Sequence, residues 1–199
     1  MLRRALAKMW SIAFRLIYRM AFRSLGRGSF LHRPFRIDGG EYMDVGRRSA
    51  MQSGGWLYCC GINGRPANLK IGDGCVFGYN NHITAVGSVV IGDEVLTANN
   101  VYISDNIHGY EDVACPIMYQ PVLFKRAVVI GDGSWIGENA CIIGASVGRN
   151  SVIGANAVVT RDIPDYSVAV GSPAVVIRRF DPELKEWIAV TDARQKVAD

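Results

Sequence analysis

An aliphatic residue recurs at every sixth position along much of this chain. In "VVIGDGSWIGENACIIGA", residues 128–145, the beat falls on Ile130, Ile136 and Ile142. A strand alternates with period two and a helix with period 3.6, so neither alone explains it. The same spacing holds at Val45, Met51 and Leu57, at Ile71, Phe77 and Ile83, and at Ile91, Thr97 and Ile103. After a shortened step from Ile142 it continues at Val147, Ile153 and Val159. Each hexad reads as a short extended piece and a corner, with Gly, Ala or Asn where the chain must turn sharply. Three pieces close a triangular coil whose aliphatic residues share one interior. Coils then stack as parallel strands ~4.8 Å apart, each burying the face of the last. The spacing predicts an all-β solenoid of about five or six coils, roughly 25–30 Å tall.

Charge divides the chain in two. Residues 1–36 hold nine of the 22 Lys and Arg and no Asp or Glu, leaving 13 basic against 18 acidic residues in the rest. The net +4 therefore belongs to an appendage over residues 1–34, not to a nucleic-acid-binding domain. Residues 1–27 are rich in helix formers. Arg4, Lys8, Arg15, Arg19, Arg23 and Arg27 fall on one helical face, with Leu2, Leu6, Met9, Ala13, Ile17 and Met20 opposite. Basic residues recur too often for this helix to span ~30 Å of hydrocarbon. The absence of acids favours an in-plane helix on an anionic membrane surface, each cation contributing about 1 kcal/mol, over a helix packed on protein. The five cysteines lack CxxC spacing and suit a reducing cytoplasm, with the chain peripheral on the inner membrane face. At the other end, "FDPELKEWIAV" predicts a short helix within residues 180–199, capped by Asp181, with Pro182 in its first turn and Trp187 and Ile188 pinning it down.

The stretches "FRIDGGEYMDVG", "VVIGDEVLTANNVYISDNIHG", "VVIGDGSWIGENACI" and "SVIGANAVVTRDIPDYSVAVGSPAVVIRR" resemble the hexapeptide-repeat acyltransferases, in their bacterial sugar O-acetyltransferase branch of maltose, colanic-acid and lipopolysaccharide type. The resemblance covers residues 35–179. It implies a left-handed parallel β-helix, acetyl-CoA as acyl donor, no metal, and a homotrimer with active sites between subunits.

The beat breaks at residues 104–127, and an insertion of that length on a solenoid commonly carries function. It holds His108, one of three histidines. Acetyl transfer from a thioester to a hydroxyl needs a base poised near neutrality, which imidazole supplies. The resemblance gives His108 that role. Asp105 is a second candidate, to orient the imidazole or bind acceptor hydroxyls. His82, Asn80 and Asn81, at a corner of an earlier coil, are candidates to line the acceptor pocket, and His32 reads as structural. For the coenzyme, the resemblance points to Trp135, to the small corner residues Gly137, Gly144, Ala145, Gly154 and Ala155, and to Arg161, Arg178 and Arg179 near the nucleotide phosphates. Val175 stands where that pattern commonly has a basic residue.

The expected activity is transfer of an acetyl group to a sugar hydroxyl in surface polysaccharide or lipid-linked glycan synthesis. An amino-sugar N-acetyltransferase of the same fold and a non-catalytic scaffold are the alternatives. A β-helix carbonic anhydrase is disfavoured, because His32, His82 and His108 lack the close pairing its zinc needs.

Overall fold

A computed structural model describes residues 9–190 apart from residues 11 and 15. The chain winds into a three-sided, left-handed column. One face stacks Ser24–Leu25, Met43–Val45, Asn68–Ile71, Ser88–Ile91 and Val128–Ile130. Single bridges from Ile130 to Val147 and from Val147 to Ile163 carry that face onward. The second face runs from Phe30–Leu31 through Ala50–Met51, Val76–Phe77, Leu96–Thr97, Trp135–Ile136 and Val152–Ile153 to Ser167–Val170. The third stacks Arg36–Asp38, Trp56–Cys59, His82–Ala85, Tyr102–Ser104, Cys141–Ile143 and Val158–Val159.

Hexad residues meet in register between coils. Leu57, Ile83, Ile103, Ile142 and Val159 form one ladder, and Met51, Phe77, Thr97, Ile136 and Ile153 another. None of the hexad residues named above is more than 5% exposed. The one polar member, Thr97, satisfies its hydroxyl by donating to Asn81 Oδ1 at 2.9 Å.

The column begins earlier than residue 35. Leu25, Leu31 and Ile37 already keep the six-residue beat, and their strands pair with the following coil. This first coil gives the third face its six strands. The N-terminal helix correspondingly ends earlier than its composition suggests. The described residues from 9 to 18 are helical, the chain turns at 19–20, and Ser24 is already in a strand. Its buried face also differs from the expectation. Trp10, Phe14, Tyr18 and Phe22, four apart, turn inward: Phe14 and Phe22 join the core and Tyr18 packs against it. Met9, Ile17 and Met20 point outward. The expected positions Leu2, Arg3, Arg4, Leu6, Lys8 and Arg15, and the tail 191–199, lie outside the described residues.

The predicted C-terminal helix is instead a β-hairpin. Val175–Asp181 runs antiparallel to Ser167–Val170, and Glu186–Ala189 folds back on it, extending the second face. Asp181 does cap, but it caps the turn: its Oδ1 accepts from the Glu183 and Leu184 amides at 2.8 and 3.0 Å. Asp-Pro serves a tight turn as well as a helix start, and here sheet extension wins. Trp187 stands edge-on to Phe180 at 5.7 Å, so it pins the hairpin.

Candidate active site

After Tyr102–Ser104 the chain leaves the column. Asn106–His108 pairs antiparallel with the returning Val122–Phe124, His108 opposite Val122, so the insertion is a two-stranded arm. Its root is built from "SDN". Fully buried Asp105 accepts from the Val86, Gly87 and Ser88 amides at 2.7–2.9 Å. Its carbonyl accepts from the Lys125 amide at 2.8 Å, where the arm comes home. Ser104 and Asn106 bond reciprocally, and Asn106 reaches Thr84 Oγ1 at 3.2 Å. Asp105 therefore ties both ends of the arm to the column. Its carboxylate is taken by backbone amides and Asn106, with no bond to the His108 imidazole among the described contacts.

The arm closes one side of a cavity of about 250 Å³ lined by His108, Asn106, Ile107 and Val122. The column supplies Trp56, Tyr58, His82, Thr84, Val86 and Tyr102. His82 and His108 thus share one cavity. His108 is solvent-exposed. His82 lies against the Trp56 indole, rings parallel at 4.1 Å, with Tyr102 tilted on its other side at 5.1 Å. Burial pushes its pKa down, which holds this ring neutral. Trp56 is itself fixed by donating Nε1–H to Asp38 at 3.0 Å.

Asn80 and Asn81 do not line the cavity. Asn80 turns a corner at positive φ and bonds along the axis to Asn100. Asn81 is buried, donating to the Ala98 carbonyl at 2.9 Å. Both serve the winding, which is why that stretch needed asparagine. His32 bonds Ser53 Oγ at 2.7 Å and is structural, as expected.

The aromatic walls Trp56, Tyr58 and Tyr102 went unread in the sequence, and so did a further contributor. A second break, residues 60–67, sends Ile62 into the cavity and lays Arg65 across the Phe124 ring of the arm at 4.2 Å. The long step from Leu57 to Ile71 was its signal.

The coenzyme candidates lie elsewhere on this single chain. Trp135 is half exposed on the second face, between Leu96 and Val152. Gly137, Gly154 and Ala155 follow at the next corner. Gly144 and Ala145 sit buried below the arm, where Gly144 has φ 56° and the Lys125 side chain presses on it. Arg161 is exposed at a late corner, and Arg178 and Arg179 are exposed on the C-terminal hairpin. None of them lines the His108 cavity. Cys59, beneath Tyr58, is no nucleophile: burial pushes its thiol up to about 12. Among the described residues no group of His, Cys, Asp or Glu is arranged to hold a metal.

A family pattern described as the hexapeptide repeat of succinyl-transferase matches residues 68–105 and 127–161. A Mycobacterium tuberculosis protein provisionally named as an acetyltransferase is 34% identical over 158 residues, covering 77% of this chain and 49% of its own length. An Escherichia coli protein with a provisional name in lipopolysaccharide biosynthesis O-acetyl transfer is 37% identical over 113 residues, covering 53% of this chain and 58% of its own. The chain thus spans about half the length of the curated relatives it matches. Among solved structures, a galactoside acetyltransferase in complex with coenzyme A superposes with TM-score 0.58 at 25% identity, covering 89% of this chain and 77% of that one. With its six-residue ladder, its stacked coils and these likenesses, the chain has the hexapeptide-repeat β-helix fold and is similar to acetyltransferases built on it.

Proposed function

We propose that this protein transfers the acetyl group of acetyl-CoA to a sugar hydroxyl, with His108 as general base. One observation carries the reading: His108, on the arm that interrupts the winding, shares a sugar-sized cavity with a neutral second imidazole and two tyrosines. His108 takes the hydroxyl proton as the oxygen attacks the thioester carbonyl. The tetrahedral intermediate collapses with loss of the coenzyme thiolate, and the imidazolium returns its proton to that sulfur. The thiol and the acetyl ester are then the only products, so the step balances without a metal.

His82 and Tyr102 hold the sugar, and Asp105 positions the arm. Trp135, the small corners Gly137, Gly144, Ala145, Gly154 and Ala155, and the basic Arg161, Arg178 and Arg179 bind the coenzyme. Because they lie away from His108 on one chain, the site is completed by a neighbouring subunit of a homotrimer. The likeness to a lipopolysaccharide-related O-acetyl transferase supports a surface-glycan acceptor.

His108→Ala is expected to lower kcat at least a hundredfold with coenzyme affinity little changed, as loss of a general base should. Thiol release from acetyl-CoA, read against coenzyme binding by calorimetry, checks this. Unaltered turnover would remove His108 from the chemistry and favour a scaffold.

A further inference from the structure

We infer that the N-terminal helix is a foot that stands the column upright on an anionic lipid surface, setting the cavity at a fixed height above it. The height gives the acceptor class: a lipid-linked glycan whose target sugar reaches well clear of the bilayer. This last step rests on the proposed acetyl transfer; the foot itself does not.

The helix lies across the open end of the column. Trp10 donates Nε1–H to the Leu31 carbonyl at 2.9 Å at one corner of the first coil. At the next corner, Gly40 packs against the Ala21 carbonyl and accepts from the Arg23 amide at 2.9 Å. Between them Phe14 is wholly buried in the core. Helical residues opposite Phe14 therefore face away from the column, along its axis.

What faces away is aliphatic. Met9, Ile12 and Leu16 are 65%, 53% and 73% exposed, and Met20, in the turn just beyond, is 84% exposed. A solvent-facing helix would carry charge at these positions; a membrane-lying one carries this stripe. The same segment is purely basic, with no acid in residues 1–36. The cations complement an anionic lipid headgroup layer and would repel each other across two copies of the same face. No helix among the described residues is long and apolar enough to cross a membrane.

The solenoid then acts as a ruler. Third-face strands follow the order Arg36, Trp56, His82, Tyr102, one coil each, and the arm leaves from the fourth. Three steps of ~4.8 Å plus a helix layer of ~10 Å place the cavity roughly 25 Å above the outer side of the foot. With the apolar stripe sunk ~5 Å, the pocket stands about 20 Å above the acyl boundary. A sugar attached directly to a lipid falls short of it.

The full chain is mixed with vesicles of phosphatidylcholine alone or with phosphatidylglycerol, and bound protein is read by flotation. Binding to the anionic vesicles is expected, released by high salt and weakened at least tenfold in Ile12→Glu/Leu16→Glu. Those two side chains are exposed, so the variant's unchanged melting and unchanged turnover of a free acceptor sugar control for folding and for the activity reading. Equal binding by the variant, or equal binding to both vesicle types, would overturn the foot. So would a halving of particle mass in the variant on light scattering, which would mean that the stripe pairs two copies. An acceptor sugar linked to lipid through ethylene-glycol spacers tests the ruler. Transfer on vesicles should rise sharply once the spacer reaches about 20 Å, and a rate indifferent to spacer length would sink it.

Discussion

At the residue scale the cavity contains two imidazoles with different environments. His108 sits on the arm in contact with solvent, whereas His82 is stacked on Trp56 and desolvated. The lowered His82 pKa has a consequence for stability. In the unfolded chain this imidazole takes up a proton near 6.5. Folded, it resists protonation, so the unfolded state binds more protons in that window. Stability is therefore full above about pH 6.5 and falls as the pH drops below it, until the folded group also protonates. His82→Gln should lower the urea midpoint at neutral pH by loss of stacking and flatten its decline below about pH 6.5. An unchanged slope would show that His82 is not the titrating group. Sequence alone singled out both histidines, because three in 199 residues are few and one sits at the break. On this chain Asn80 and Asn81 are engaged in the winding, because asparagine at a corner serves positive φ as readily as it serves a ligand. The asparagine ladder from Asn80 through Asn100 and Asn139 to Asn156 is the structural answer.

At the element scale the arm is held by what it leaves, and Asp105 is the knot. A carboxylate that accepts three backbone amides replaces the strand-to-strand bonds the column forgoes at that corner. Asp105→Ala leaves those amides buried without an acceptor, a cost of about 1–3 kcal/mol for each unsatisfied group. The arm should then lose its fixed placement. We expect kcat to fall at least tenfold, hydrogen exchange to rise at residues 86–88 and 106–108, and Asp105→Asn to rescue in part. If Asp105 instead oriented the imidazole, exchange at 86–88 would stay protected while the pH profile shifted. The sequence reading put Asp105 near His108, to orient the imidazole or bind acceptor hydroxyls, and did not foresee the backbone amides it accepts from, since "D-x-x-H" spacing carries no information about a corner 18 residues upstream. A second regularity escaped as well. Buried Ser29, Ser49, Ser134, Ser151 and Ser167, with Cys75, link coil to coil by hydrogen bonds at one corner. The period was visible, but attention fell on the aliphatic positions whose burial it most directly predicts.

At the scale of the whole molecule the column is nearly one-dimensional, each coil touching only its neighbours, so its ends are its weak points. The structure closes each end differently. At the C-terminal end a hairpin continues the second face, and at the N-terminal end the aromatic stripe of the helix seals the first coil. Hexad arithmetic could not foresee these closures, because a cap is by definition where the repeat stops. Phe14→Ala should therefore act locally. Removing a buried phenylalanine costs about 3–5 kcal/mol, enough to open the first coil without unwinding the rest. Hydrogen exchange should lose protection at residues 24–38 while residues 82–104 stay protected. The cavity borders the opened coil only through Trp56 and Tyr58, while His108 and its arm leave from the fourth coil, so turnover of a free acceptor sugar should fall far less than in His108→Ala. If protection instead collapsed throughout, the coils would be one cooperative unit, and the seal would be holding the active site as well as the end.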